Sequence, residues 1–265
     1  MSTSPPSPSI ESIFQGYSPL PGVYDEFLTN SGPARAHARP FLEALHGIGR
    51  KEFSRRWDQA QRLVHENGFA YSGYGAPEDK PRPWELDAVP LLIPAAEWAT
   101  VSAGLQQRAR LLNLVLQDLY GPQTLLHNGI LPAELVLAHP GFLRPYHGQQ
   151  PPLNTFLHFY AAGLARSSDG VWWVLADRTE APSGVGYALE NRVVVSRMLP
   201  EAFQRCQVMR LAPFFMTAQE TLRRLAPNQR ENPRVVLLSD GPTSPNYFAA
   251  AFLARYLEYT LVEGG

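Results

Sequence analysis

Two apolar runs separated by a short polar turn constrain the fold of this chain more than any other feature. The runs cover residues 154–166 and 171–177 and are rich in aromatic and branched side chains. Ser-Ser-Asp-Gly at 167–170 separates them, and Asp-Gly between two such runs is a strong β-hairpin signal. Three consecutive valines, 193–195, offer a third strand. The sequence therefore predicts an antiparallel sheet with Asp177 near the end of its second strand.

Helical periodicity dominates the first half of the chain. Apolar residues recur at helical spacing over 33–47 and 51–68, which predicts two helices in a hairpin. Prolines interrupt the helical pattern over 81–94, and the short apolar run 89–93 within it predicts a strand or a buried connector. A long helix is predicted from about Ala95 to Tyr120. On that helix the segment 107–110 either reaches a ligand or forms a solvated face.

The pattern changes again after a predicted helix over 214–225. An apolar strand over 234–239, a glycine-containing turn, a helix over 247–257 and a strand over 259–262 read as the opening of a βαβ unit. The turn would lie at the mouth of the sheet, where ligands bind. The last strand leaves an open sheet edge, which favours pairing with another chain.

These elements predict an α/β (α+β) fold with N-terminal helices, an antiparallel sheet and an incomplete βαβ unit at the C-terminus. Three regions follow from the same patterns. A disordered tail rich in Ser and Pro is expected over 1–23, and the helices and antiparallel sheet over 24–226. The start of a Rossmann-like substrate domain is expected over 227–265.

Composition excludes several functional classes. The formal net charge is −1 and the arginines are scattered, so the chain lacks the field that holds a nucleic-acid backbone. No apolar run approaches the ~20 residues of a membrane span, and the N-terminus lacks the features of a signal peptide. A single cysteine, Cys206, suits a reducing compartment. We therefore expect a cytoplasmic protein without nucleic-acid or membrane partners.

The stretch 172–192 collects polar groups directly after an apolar strand. It offers carboxylates, an amide, guanidinium groups and a Pro-Ser-Gly-x-Gly loop, which is the inventory needed to hold Mg²⁺ and a polyphosphate. A structural alternative stays open, in which Asp177 or Glu190 merely pairs with Arg178 or Arg192. The loop is equally compatible with a plain glycine turn.

Several strings of the sequence, spread from about residue 24 to the last residue, closely resemble the circularly permuted ATP-grasp type 2 family. They lie at 84–90, 97–98, 107–109, 118–121, 172–179, 182–192, 234–238 and 253–257. The resemblance implies an ATP-dependent carboxylate–amine ligase related to glutathionylspermidine synthetase. In such a ligase a carboxylate is activated as an acyl phosphate and then attacked by an amine. ATP and Mg²⁺ would be the cofactors, and a small-molecule or peptide carboxylate and an amine the substrates.

The resemblance also implies roles for residues of the stretch 172–192. Acid and amide side chains on two neighbouring strands would bind the metal, two arginines would compensate phosphate charge as catalytic groups, and the loop would bring backbone N–H groups to the cofactor. The implied metal ligands are Asp177, Glu190 and Asn191, the catalytic groups Arg178 and Arg192, and the cofactor-binding residues Ser183, Gly184 and Gly186. Strand alternation would turn Glu190 and Asn191 to opposite faces unless a bulge intervenes.

Departures from the family pattern concern activity more than fold. Gly163 stands where an acidic residue is usual, and 248–251 lack two polar groups. The family pattern continues into segments with a nucleotide-clamping lid, so we expect an N-terminal portion that is inactive alone and is completed by a downstream polypeptide. The alternative is a degenerate, non-catalytic module that binds a peptide, a metabolite or a partner protein. A hydrolase with Asp177 and Glu190 as acid and base is a poorer third hypothesis, because nothing in the sequence fixes their separation.

Overall fold

A computed structural model describes residues 13–67, 70–71, 82–180, 182–227, 232–242, 244 and 246–264. Its helices are α1 (Arg39–Ile48), α2 (Arg50–Glu66), α3 (Ala95–Leu119), α4 (Thr124–His127), α5 (Ala133–Leu137), α6 (Val185–Met198), α7 (Pro200–Arg205), α8 (Ala212–Leu225) and α9 (Tyr247–Leu257). Its strands are β1 (Ala70–Tyr71), β2 (Arg82–Pro83), β3 (Ala161–Arg166), β4 (Trp172–Arg178), β5 (Val236–Ser239) and β6 (Thr260–Glu263). The mixture of helices with small sheets confirms the predicted α+β class.

The hydrophobic core lies between α1, α2, α6, α7 and α9. Its largest fully buried side chains are Phe41, Val194 and Leu199. Ala249 of α9 belongs to the same cluster, and Phe14 packs against it from the N-terminal side. The first twelve residues of the predicted tail lie outside the described residues. The predicted domain boundaries remain predictions, since the N-terminal helices and α9 pack in one core that marks no boundary between them.

The predicted hairpin is confirmed by the antiparallel pairing of β3 with β4, which places Ala162 opposite Asp177. The first strand is shorter than predicted: residue 154 ends a single helical turn, and residues 155–160 lead irregularly into β3. Side chains alternate along β4: Trp172 is half-buried, whereas Trp173 and Leu175 are 60% and 70% exposed. The hairpin therefore has one face against the protein and one apolar face toward solvent.

The predicted third strand over 193–195 is wrong, because these valines lie within α6. Valine favours strands, but burial in context overrides that preference. The buried positions Tyr187, Val194 and Met198 recur at helical spacing, so the helix directs them together into the core. The predicted placement of Glu190 and Asn191 on a strand is wrong for the same reason.

The C-terminal βαβ prediction is confirmed. β5 and β6 pair in parallel with α9 as the connection, in a two-stranded sheet of the described residues. The helix has the predicted bounds, and each strand begins within two residues of its predicted start. Residues 89–93 form a connector to α3. Within the part of the chain that the structure describes, no helix is long and apolar enough to cross a bilayer.

Arg166 ties the hairpin to α3 and to the N-terminal segment. Its side chain is 7% exposed, and its Nε and Nη2 donate to Glu26 and Glu97 over 2.8 Å each. The guanidinium carbon also lies 4.6 Å from the Tyr24 ring centroid and 4.2 Å from that of Trp172. We call these five residues the Arg166 cluster. Charge-assisted hydrogen bonds and ring stacking together hold three segments in one arrangement.

The Arg166 cluster predicts a loss of stability in acid. Burial raises the pKa of the Glu97 carboxyl, but the hydrogen bonds from Arg166 and Trp172 outweigh it and hold the pKa below the ordinary 4.5. A carboxyl with a lowered folded-state pKa stabilises the fold above its unfolded pKa and loses that contribution as pH falls through the folded pKa. We expect the melting temperature to fall below about pH 4.5. Thermal unfolding from pH 7 to pH 3 measures this, and an unchanged pH slope in Glu97→Gln would contradict it.

Candidate functional site

A carboxylate at the end of β4 gathers two donors from elsewhere in the chain. The Oδ1 atom of Asp177 accepts from Arg108 Nε at 3.1 Å and from Tyr160 Oη at 2.5 Å, and its Oδ2 accepts from Arg108 Nη2 at 2.5 Å. Arg108 lies on α3 and Tyr160 directly precedes β3. We call these three residues the Asp177 cluster. The side chains of Arg108 and Asp177 are 45% and 28% exposed, so the pair is open to solvent.

Hydrogen bonds within the Asp177 cluster determine the protonation states of its members. Hydrogen bonds from Arg108 and then Tyr160 hold the pKa of the Asp177 carboxyl below its usual value. Burial and the hydrogen bond to Asp177 raise the pKa of Tyr160. At neutral pH the cluster therefore contains an ionised carboxylate, a guanidinium cation and a neutral phenol. An accessible ionised carboxylate is the kind of oxygen ligand that Mg²⁺ uses together with substrate phosphates.

The loop after β4 ends in the N-terminus of α6. Gly184 is the N-cap residue with φ of 100°, a left-handed conformation that glycine adopts without strain, and no side chain caps the helix. Ser183 beside it is exposed. The backbone N–H groups of an uncapped first turn and the helix dipole favour an anion. Ser183 and Gly184 thus lie at an uncapped helix N-terminus, and their binding to phosphate stays a prediction.

Gly186 has a packing role. A Cβ atom on Gly186 would lie 2.7 Å from the carbonyl oxygen and 2.8 Å from the Cα of Ala249. The missing side chain therefore permits α6 and α9 to approach closely. A contact of Gly186 with phosphate stays a prediction, whereas its contact with α9 is a structural reason for glycine at this position.

Glu190 and Asn191 use their oxygens to hold other elements against α6. Glu190 is 3% exposed, and its Oε1 accepts from Asn67 Nδ2 at 2.8 Å at the end of α2. Asn191 Oδ1 accepts from Trp84 Nε1 at 2.8 Å, and the Trp84 ring stacks on Tyr187 at 4.5 Å between centroids. Both residues thus fix neighbouring segments.

The three predicted metal ligands do not share partners. Among the described residues, no hydrogen bond or ion pair joins Asp177 to Glu190 or Asn191. Nor do three or more acidic, histidine or cysteine side chains in those residues gather into a metal site. The ionised, partly exposed carboxylate of Asp177 fits a divalent cation in charge, but both of its oxygens accept from Arg108 in the structure. In the described geometry Glu190 and Asn191 bind Asn67 and Trp84. Their binding to metal stays a prediction.

The two predicted catalytic arginines point to different environments. Arg178 ends β4 and is exposed. Arg192 Nη1 donates to the carbonyl of Met209 at 3.0 Å, its guanidinium carbon lies 5.6 Å from the Phe203 ring centroid, and burial lowers its pKa. The structural alternative expected one of these arginines as the partner of Asp177. In the structure that partner is Arg108.

Sequence reasoning missed Tyr160 and left Arg108 undecided. The hairpin register contained a signal for Tyr160, because pairing outward from the turn brings the residue before β3 to the end of β4. Arg108 carried no comparable signal, since 69 residues separate it from Asp177. Asn67 and Trp84, the partners of Glu190 and Asn191, were missed for the same reason.

Comparison with known proteins places these features in a family. The sequence profile of the family described as circularly permuted ATP-grasp type 2 matches residues 90–265. The uncharacterized protein Rv2567 of Mycobacterium tuberculosis is 38% identical over 252 residues, which are 92% of this chain and 28% of that protein. The uncharacterized protein sll0335 of Synechocystis is 34% identical over 250 residues, which are 94% of this chain and 52% of that protein. A second M. tuberculosis protein, the uncharacterized Rv2411c, is 32% identical over 96% of this chain and 46% of its own length. This chain therefore spans between 28% and 52% of these three relatives.

Proposed function

This chain belongs to the circularly permuted ATP-grasp type 2 family, and we propose that it forms part of an ATP-dependent carboxylate–amine ligase. In the proposed reaction ATP phosphorylates a substrate carboxylate and ADP leaves. An amine then attacks the acyl phosphate, and the release of phosphate leaves an amide. The acid and the amine are small molecules or peptides. A reducing, ATP-supplied cytoplasm is the proposed location.

The observation that carries this proposal is the Asp177 cluster together with the α6 N-terminus that follows it. An ionised, accessible carboxylate ends β4, and the next helix begins with a glycine cap and no side-chain acceptor. A divalent cation would be held by Asp177 and by phosphate oxygens, and would neutralise phosphate charge. The backbone groups at Ser183 and Gly184 would donate to phosphate. Arg178, which is exposed at the end of β4, would add a charged donor for phosphate.

The remaining predicted residues act at a distance from phosphate in this proposal. Glu190 and Asn191 anchor the end of α2 and Trp84 through their hydrogen bonds. Arg192 anchors the connection after α7 through the Met209 carbonyl. These contacts support positioning roles, because each side chain makes a hydrogen bond to another segment of the protein.

A polypeptide partner is part of the proposal. The solvent-facing side of the hairpin exposes Val171, Trp173 and Leu175 by 52%, 60% and 70%. Contiguous apolar side chains of this size usually mark an interaction surface. The relatives are longer than this chain, so we propose that a further polypeptide segment covers this face.

Calorimetric titration of Mg-ATP into the wild-type chain and into Asp177→Asn tests the nucleotide site. We expect the wild type to bind Mg-ATP. The affinity of the variant should be about 10- to 100-fold lower, because the amide cannot supply an anionic ligand. Asp58→Asn, an exposed position on α2, is the matched control and should bind as the wild type does. Circular dichroism establishes that each variant is folded. Wild-type affinity in Asp177→Asn would reject Asp177 as a ligand.

The same titration separates the remaining alternatives when it is repeated with the polypeptide encoded directly downstream. Heat only in the mixture would support the partner proposal. No heat in either experiment would overturn the nucleotide site. Binding of ATP without phosphate release on addition of carboxylates and amines would favour the non-catalytic module.

A further inference from the structure

Arg108 occupies the face of Asp177 that a cation would use. Its two nitrogens bind both carboxylate oxygens, and Tyr160 binds Oδ1 as a third donor. Mg²⁺ requires lone pairs on those same oxygens and is repelled by a guanidinium cation at the same carboxylate. Arg108 and a divalent cation therefore compete for Asp177.

The contact between Arg108 and Asp177 is suited to exchange. Both side chains are solvent-accessible, at 45% and 28%, so water and dissolved ions compete with each partner for the other. Among the described residues Arg108 is not part of the hydrophobic core, so its long side chain can turn without disturbing that core. Arg108 is thus hydrogen-bonded to Asp177 in the structure, and its side chain is free to exchange this partner for another.

We propose that Arg108 is a nucleotide-binding residue that leaves Asp177 and binds the phosphates of ATP when the metal takes the carboxylate. The inference rests on the proposed function, because it places Mg-ATP at Asp177. A planar guanidinium fits two phosphate oxygens as well as two carboxylate oxygens. The exchange keeps every charge paired: the carboxylate passes from guanidinium to metal, and the guanidinium passes from carboxylate to phosphate.

This exchange predicts opposite effects of one substitution on two ligands. In Arg108→Ala, Mn²⁺ alone, measured by electron paramagnetic resonance, should bind about two- to fivefold more tightly because its competitor is gone. Mg-ATP, measured by calorimetry, should bind about tenfold more weakly because a charged phosphate donor is lost. Arg108→Lys keeps the charge and loses the planar fork, so its values should lie between those of the wild type and Arg108→Ala.

Arg110→Ala is the matched control, since Arg110 is exposed on the same helix two residues further on. It should leave both affinities unchanged. Weaker binding of both ligands in Arg108→Ala, or unchanged Mn²⁺ binding, would overturn the exchange while leaving the Asp177 site intact. Failure of the wild type to bind Mg-ATP, both alone and mixed with the downstream polypeptide, would overturn the proposed function and this inference together. Circular dichroism and thermal unfolding check that each variant is folded.

Discussion

Replacement of Arg166 by methionine is expected to destabilise the fold by about 3 kcal/mol, toward the lower end of the cost of breaking a buried ion pair. The substitution leaves two carboxylates, Glu26 and Glu97, without their shared cation. The Oε2 atom of Glu26 is already buried without a hydrogen bond among the described residues. Glu97 is one-third exposed, so water compensates part of its loss. Urea unfolding followed by tryptophan fluorescence measures the change.

A surface arginine provides the control for the Arg166 variant. Arg55 pairs with Glu52 one turn away on α2, and its side chain is 57% exposed. Arg55→Met should change the free energy of unfolding little, because solvent screens that pair. The triple variant that adds Glu26→Gln and Glu97→Gln to Arg166→Met should recover part of the stability, since no unpaired charge remains. Equal losses in the two single arginine variants would contradict the role of the Arg166 cluster.

Local signals predicted the elements that depend on local chemistry. The Asp-Gly turn determined the hairpin of β3 and β4, and the apolar periodicity determined α3 and α9. The prediction of a strand over 193–195 was wrong because the strand propensity of valine competes with the burial that a helix provides. Only the packing of the folded core decides between the two. A single sequence contains the pattern of apolar residues. It does not contain the surface that the segment packs against, and that surface decides between helical and strand periodicity.

The same limitation applies to the site. The sequence identified Asp177 as a carboxylate at the end of a strand, because that position follows from the hairpin. Its partner Arg108 comes from a helix 69 residues earlier, and the partners of Glu190 and Asn191 come from segments 123 and 107 residues earlier. Such pairings depend on how helices pack against the sheet. The position of a functional residue was thus predictable where its contacts come from residues nearby in the sequence.

The change from strand to helix alters the chemical meaning of adjacent residues. On a strand, Glu190 and Asn191 would face opposite sides, and only one could reach a common metal. On α6 the two positions are about 100° apart, so they reach different neighbours on the same side of the helix. One binds the end of α2 and the other binds Trp84. The pair consequently holds α6 against the end of α2 and against Trp84.

Gly186→Ala is expected to destabilise the protein by about 1–3 kcal/mol, the usual cost of overpacking a core. An added Cβ would lie within 2.8 Å of two backbone atoms of Ala249, and a backbone cannot rotate away as a side chain can. Helix propensity alone would favour alanine by about 1 kcal/mol. The sign of the measured change therefore distinguishes close packing from propensity. Urea unfolding of the variant and the wild type measures it.

Gly104→Ala is the matched control, because Gly104 lies within α3 and an added Cβ there would meet no atom within 4 Å. It should gain up to about 1 kcal/mol from helix propensity and from the smaller entropy of the unfolded chain. Opposite signs in the two variants would establish that α9 requires glycine at residue 186. A gain in both would mean that α6 and α9 lie further apart. Since Gly186 is in the first turn of α6, such a gap would also loosen the support behind the proposed phosphate-binding groups.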